Sequence, residues 1–156
     1  QNTASNNGGL GFLVWFSSMN NTLQGNVAAE NNSWGFGLAF ASDGNEYFQN
    51  TSEKNGASGF IAVQSGSNTY AENIALRNKA EGFLLLGAAD NLLERNIAEY
   101  NHSYGFHIAD YSTDASQFNT ITENTACYNK GYDSIDESTG PNYWQPDNDF
   151  CKSSLP

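Results

Sequence analysis

Apolar positions in this chain fall two apart in short runs, and the runs return about every 23 residues with turn-forming residues between them. Counted from the first asparagine of each repeat, position 3 reads Leu23, Tyr47, Tyr70, Leu93 and Ile121, and position 7 reads Val27, Thr51, Ile74, Ile97 and Thr125. Position 8 is small: Ala28, Ser52, Ala75, Ala98, Ala126. With the fifth repeat aligned on its Gly131-Tyr132 pair, position 16 reads Phe36, Phe60, Phe83, Phe106 and Tyr132, and position 18 reads Leu38, Ala62, Leu85, Ile108 and Ser134. Alternation of this kind, bounded by turn residues, predicts short strands with one face turned inward. No stretch keeps a helical period, and proline is absent from residues 1–140, so nothing interrupts the strands.

Asparagines set the corners. They stand five apart at Asn21, Asn26, Asn31; Asn45, Asn50, Asn55; Asn68, Asn73, Asn78; Asn91, Asn96, Asn101; and Asn119, Asn124, Asn129. Each triplet is followed by a Gly-aromatic pair, from Gly35-Phe36 through Gly59-Phe60, Gly82-Phe83 and Gly105-Phe106 to Gly131-Tyr132. A repeat this short buries its apolar side only by stacking on its neighbours, which means a solenoid. Asparagine tolerates left-handed backbone and its amide bonds turn backbone groups. Stacked coil on coil, the amides form ladders and the Phe column an internal aromatic stack. The glycine is expected to supply positive φ before the Phe strand.

The register extends to Asn2, Asn7 and Gly11-Phe12 at one end and to Asn142 at the other. The expectation is one all-β domain over residues 1–156: an incomplete first coil (1–20), regular coils (21–141) with an insertion at about 110–118, and a final partial coil and tail (142–156). About six coils of 23–24 residues stack to roughly 30 Å. A chain beginning part-way round a turn also raises stacking of that end on another chain or on a missing upstream segment.

Six basic against 17 acidic residues leave a net charge of −11. That excludes a nucleic-acid partner, whose phosphates need a cationic surface. No apolar run approaches the length that spans a bilayer, so membrane insertion is excluded as well. No signal peptide is visible, and Gln1 reads as a mature or truncated start. Of four glycosylation sequons, those at Asn31, Asn50 and Asn101 fall on ladder positions and should be internal, leaving Asn20 as the credible acceptor. Cys127 and Cys151 each follow a ladder asparagine by three residues. In neighbouring coils their Cα atoms would lie about 5 Å apart, within disulfide range. A bridge there implies an oxidising compartment, so a secreted or cell-surface protein.

The recurring N-x4-N-x4-N…G-F pattern, over about residues 2–150, resembles right-handed parallel β-helix repeat proteins of the carbohydrate-binding and sugar-hydrolase superfamily. The resemblance implies a right-handed β-helix and a polysaccharide lyase, epimerase or glycoside hydrolase among its possible activities. Periplasmic β-helix proteins linked to copper handling share the repeat. Pectate lyases of the superfamily use an Arg base beside acidic Ca²⁺ ligands, and no Arg here sits beside such a cluster. Mannuronan C-5 epimerases carry Tyr-Gly-Phe-Asp-Pro-His at one Gly-Phe corner. This chain has Tyr104-Gly105-Phe106-His107-Ile108-Ala109-Asp110, which keeps the first three residues and lacks the Asp-Pro-His. Copper would have to be held by two histidines, Met19 and two cysteines expected to pair.

Function in a solenoid concentrates where the repeat is broken. The fourth full coil has 28 residues, the extra five falling within Asp110–Phe118, and holds both histidines. With the fifth repeat aligned on its Gly131-Tyr132 pair, position 17, expected to face solvent, reads Gly37, Ile61, Leu84, His107 and Asp133, and position 20 reads Phe40, Gln64, Gly87, Asp110 and Asp136. His107 is thus expected over Asp133 and Asp110 over Asp136, walled by Tyr111 and Asp114. A histidine beside carboxylates suits acid–base chemistry, which makes His107, Asp110, Asp133 and Asp136 the catalytic candidates. The oxygens of Asp110, Asp114 and Asp136 equally suit Ca²⁺, the one cofactor these residues suggest. His102 reads as an exposed turn residue. Trp34 and Tyr104 at position 14, Tyr100 and Tyr128 at position 10, and Tyr111 are candidate platforms for sugar rings. Glu72, Arg95 and Glu123 share position 5, and Glu30, Lys54 and Arg77 share position 10, so neighbouring coils set opposite charges side by side. The expected function is an extracellular polysaccharide-associated module that binds or modifies a glycan along the coil face. The alternative is a non-catalytic structural or adhesive segment of a larger surface protein or assembly.

Overall fold

The structure, a computed structural model, describes residues 1–152; the last four residues of the expected C-terminal tail lie outside them. The described residues hold strands and turns and no helix, wound as a parallel β-solenoid of about six turns. Each turn gives one short strand to each of three parallel sheets. The seven-stranded sheet runs from Thr3–Ser5 through Ile74–Leu76 to Asp149–Phe150. One six-stranded sheet runs from Thr22–Gln24 to Tyr143–Trp144. The other, here the Phe sheet, comprises Phe12–Trp15, Phe36–Ala39, Phe60–Val63, Phe83–Leu86, Phe106–Ala109 and Ser134–Asp136.

The asparagines hold successive coils in register. Asn73 Oδ1 accepts from both the backbone N–H (2.9 Å) and the side-chain Nδ2 (3.0 Å) of Asn50, while Asn73 donates in the same way to Asn96 (2.9 and 3.1 Å). Its Nδ2 also donates to the Tyr47 carbonyl at 2.7 Å. A buried amide with every hydrogen bond made explains the residue type: Asp lacks the donors, and Ala would leave neighbours unpaired. Three such columns stand at the corners, so the sequons at Asn31, Asn50 and Asn101 are internal and Asn20 is exposed.

Between the ladders the core is a stack of rings. Phe36–Phe60, Phe60–Phe83 and Phe83–Phe106 are parallel with centroids 4.8 Å apart, and Tyr47–Tyr70 stack at 4.9 Å. Full burial of one such ring contributes about 1.5–3 kcal/mol.

Three expectations are corrected. Left-handed backbone falls on the residue before each corner asparagine, as at Glu72, Arg77, Arg95 and Tyr100, and not on the ladder asparagines themselves. The glycines before the Phe strands have no positive φ. They are needed for space: a Cβ on Gly59 would come within 2.7 Å of the Gly82 carbonyl oxygen and 2.8 Å of Asn78 Nδ2. The last Phe-sheet strand begins two residues later than the Gly131-Tyr132 pair suggests. Phe106 pairs with Ser134, His107 with Ile135 and Ile108 with Asp136. The missing aromatic is replaced from the next coil by Phe150, whose ring lies 5.7 Å from that of Phe106.

Cys127 and Cys151 form the expected disulfide, with Cα atoms 5.2 Å apart. The charge columns pair across coils: Arg95 lies 3.6 Å from both Glu72 and Glu123, and Lys54 3.9 Å from Glu30.

Candidate functional site

The Phe strands are apolar on both faces, as in FIAV (60–63) and FLLL (83–86). Such runs belong to strands covered on both sides. Inward stand the rings; outward stand Ile61, Val63 and Ala39, at 4, 7 and 2% exposure, covered by Trp34, Phe40, Leu84 and Leu86. Position 17, expected to face solvent, instead floors a groove. Trp34 walls one side and Phe40 and Tyr111 the other, enclosing about 260 Å³ over Ala39, Ile61, Val63 and Leu86, with Trp15 at one end. Trp15 meets Phe40 edge-on at 4.9 Å.

Along the same outward face, one coil past Leu84, stands His107. Its Nε2 lies 3.0 Å from Glu137 Oε2, its Nδ1 3.9 Å from Glu81 Oε1, and its ring meets Tyr104 edge-on at 4.9 Å. The Nδ1 is buried without a hydrogen-bond partner. Glu81 shares position 14 with Trp34, Ser58 and Tyr104 and so continues the groove wall. Burial works against its ionised form, but the His107 imidazole, the Ser58 hydroxyl, its own backbone and Ser103 outweigh that and bring its pKa down to about 2. Of these contacts the Ser58 bond is short, at 2.8 Å, whereas the 3.9 Å to His107 is an ionic distance.

The structure separates the other candidates. His107 does not lie over Asp133, because the register slips by two; Asp133 is buried and ends the third ladder, accepting from the backbone N (3.2 Å) and Nδ2 (2.7 Å) of Asn129. Asp136 takes the inward slot beside Ile108 rather than lying against Asp110, and accepts from Trp144 Nε1, Asn142 Nδ2 and Ser138. Asp110 ties the insertion to the next coil: hydrogen bonds from the Thr139 hydroxyl and the Ser116 backbone hold its carboxyl below its ordinary value. Asp114 accepts from Gln64 Nε2, and its backbone pairs with Tyr111. Asp110, Asp114 and Asp136 are thus engaged separately. Among the described residues no three His, Cys, Asp or Glu side chains are placed to hold a metal ion.

Of the aromatic candidates, Trp34, Tyr104 and Tyr111 line the groove or its polar end. Tyr100 and Tyr128 stack on each other at 5.0 Å on the position-10 column, with Arg77 over the Tyr100 ring, outside the groove. His102 is exposed in its turn, as expected. Glu81 and the apolar outer face are the features that column reading passed over, although Glu81 stands in the column that supplied Trp34 and Tyr104.

Comparison with known proteins adds family and fold. A family model described as periplasmic copper-binding protein (NosD) matches residues 1–152. Crystal structures of the periplasmic alginate epimerase AlgG superpose with TM-scores of 0.84 (a double mutant, 16% identical) and 0.83 (17% identical); both cover 90% of this chain and 36% of that one. The Azotobacter vinelandii mannuronan C-5 epimerase AlgE4 A-module follows with a TM-score of 0.51 and 13% identity, over 95% of this chain and 56% of that one. The chain thus spans about a third of the length of the alginate epimerase. No curated protein sequence matches it significantly.

Proposed function

The chain belongs to the family described as periplasmic copper-binding protein (NosD), and from that premise we propose that it is a polysaccharide-binding β-helix acting outside the cytoplasm. The glycan lies along the outer face of the Phe sheet. One observation carries the reading: an apolar floor of Ile61, Val63 and Leu86 runs between the rings of Trp34 on one wall and Phe40 and Tyr111 on the other. Sugar rings have apolar C–H faces that stack on aromatic side chains, and their hydroxyls need polar partners at the rim. The likeness in fold to periplasmic alginate epimerase and the Cys127–Cys151 disulfide support the glycan and the compartment.

Copper does not fit the residues present. Both cysteines are bridged, Met19 and His102 are exposed on separate turns, and His107 is bonded to a carboxylate with no second soft ligand beside it.

Trp34→Ala and Tyr111→Ala should each weaken retention on the bound polysaccharide in affinity electrophoresis about tenfold, as expected for removing one aromatic contact. Tyr111, 41% exposed, is the variant less able to disturb folding. Tyr100→Ala and Tyr128→Ala should leave retention unchanged; equal loss from all four would refute the groove. Glycan modification is a second reading, favoured by the buried, unpartnered Nδ1 of His107 beside Glu81. It requires shortened, unsaturated or epimerised products that disappear in His107→Ala.

A further inference from the structure

The charges around the groove say more about its occupant than its shape does. At the polar end the ionisable side chains are Glu81, Glu137 and His107, and Asp114 stands on the insertion beside Gln64. No lysine or arginine is among the residues lining the groove. None of the six cations of the chain lines the groove. Lys54, Arg77 and Arg95 are neutralised by Glu30, Glu53, Glu72, Glu94 and Glu123 along the coil corners. Lys152 lies over the Tyr132 ring at 5.0 Å. Lys79 and Lys130 stand exposed in the turns equivalent to the one carrying His102.

We infer that the glycan is one without carboxylates, and that the groove selects against polyuronates; this rests on the groove reading above. A polyuronate carries one negative charge per sugar. Laid along this face it would bring carboxylates against Glu81, Glu137 and Asp114 with no lysine or arginine in the groove lining to answer them. Like charges in such a setting repel, and an anionic ligand needs cations or helix N-termini, neither of which this face supplies. Nor is Glu81 free to give up its charge by taking a proton near neutral pH, since its pKa sits at about 2. The apolar floor fits the same assignment, because desolvating a carboxylate costs far more than desolvating the hydroxyls of an uncharged sugar. The chain therefore parts in ligand from the alginate and mannuronan epimerases whose architecture it keeps.

The test uses glycan pairs differing only in oxidation at C6: β-1,4-mannohexaose against hexamannuronate, and carboxyl-reduced against native oligoglucuronate and oligogalacturonate. Binding is measured by calorimetry at about 10 mM and 150 mM salt, across which the Debye length falls from about 30 to 8 Å. In at least one pair the neutral member should bind at least about tenfold tighter at low salt, with the gap narrowing at high salt. Glu81→Gln and Glu137→Gln should narrow it too by improving uronate binding. Glu137, more than half exposed, is the substitution that leaves the fold untouched. Equal or tighter binding of the uronate members at low salt, weakened by Trp34→Ala, overturns the inference and leaves the groove standing. Failure of every member to bind in a Trp34-dependent way overturns the groove and the inference together.

Discussion

Burial favours the protonated form of a carboxyl group, and the Glu81 side chain is only 15% exposed, yet its pKa lies at about 2 rather than near its ordinary 4.5. The bonds it accepts are therefore worth more to the carboxylate than solvent it has lost. A folded-state pKa below the unfolded value contributes stability that is fully present above the unfolded pKa and disappears as pH falls through the folded one. Glu81→Gln should accordingly be less stable than the native protein at pH 6, by on the order of 2 kcal/mol in urea denaturation. That deficit should shrink between about pH 4.5 and pH 2. A deficit independent of pH would mean the substitution acts through packing alone. Glu81 was hard to single out from sequence because position 14 holds Trp34, Ser58, Glu81 and Tyr104, four chemistries with no shared signature. What unites them is the wall they form, which only appears once the coils are stacked.

At the scale of one coil, the strands, corners and disulfide were readable because each rests on spacing alone. Residues 23–24 apart are neighbours, and so Asn73 meets Asn96, and Cys127 meets Cys151. The fifth coil departs from the pattern for a physical reason: Gly131-Tyr132 imitates the Gly-aromatic pair, but the ladder sets register. Four residues separate Asn31 from Gly35 and Asn101 from Gly105, whereas two separate Asn129 from Gly131; counting four reaches Asp133, the residue whose carbonyl Phe106 bonds at 2.9 Å. Alternation suggests one wet side for each strand, but FIAV and FLLL have no polar residue to put there, and their outer face is covered instead. The same coil-scale logic governs the disulfide, which closes a loop across a sequence separation of 24. Removing it by Cys127→Ser with Cys151→Ser should cost about 3 kcal/mol. Hydrogen exchange should speed up at Tyr143–Trp144 and Asp149–Phe150 while Phe83–Leu86 keeps its protection. Uniform loss of protection would show that the last coil does not open separately.

Over the whole molecule, sheet and ladder hydrogen bonds join each coil to the coils on either side, the insertion alone reaching further where Asp114 meets Gln64, and each ladder amide inside a column bonds one partner above and one below. Stability in such a stack is close to a sum of coil terms and nearest-neighbour interfaces. Asn73→Ala removes a buried amide that accepts from Asn50 and donates to Asn96 and to the Tyr47 carbonyl. Its cost should reach about 2–4 kcal/mol, because groups on two coils are left unsatisfied. The distribution of that cost distinguishes a nearest-neighbour solenoid from a globally coupled domain. Asn73 and Asn96 share a hydrogen bond, so replacing both should cost less than the two single changes together, with a coupling of about 1–2 kcal/mol. Asn50 and Asn124 stand in the same column three coils apart, about 14 Å at the spacing of stacked strands, and share no partner. Their effects should add within about 0.5 kcal/mol. Both cycles are read from urea midpoints with the slope held constant. Strong coupling between Asn50 and Asn124 would mean that the ladder acts as one cooperative wire, and a groove occupant seated near Trp34 would then stiffen His107 three coils away.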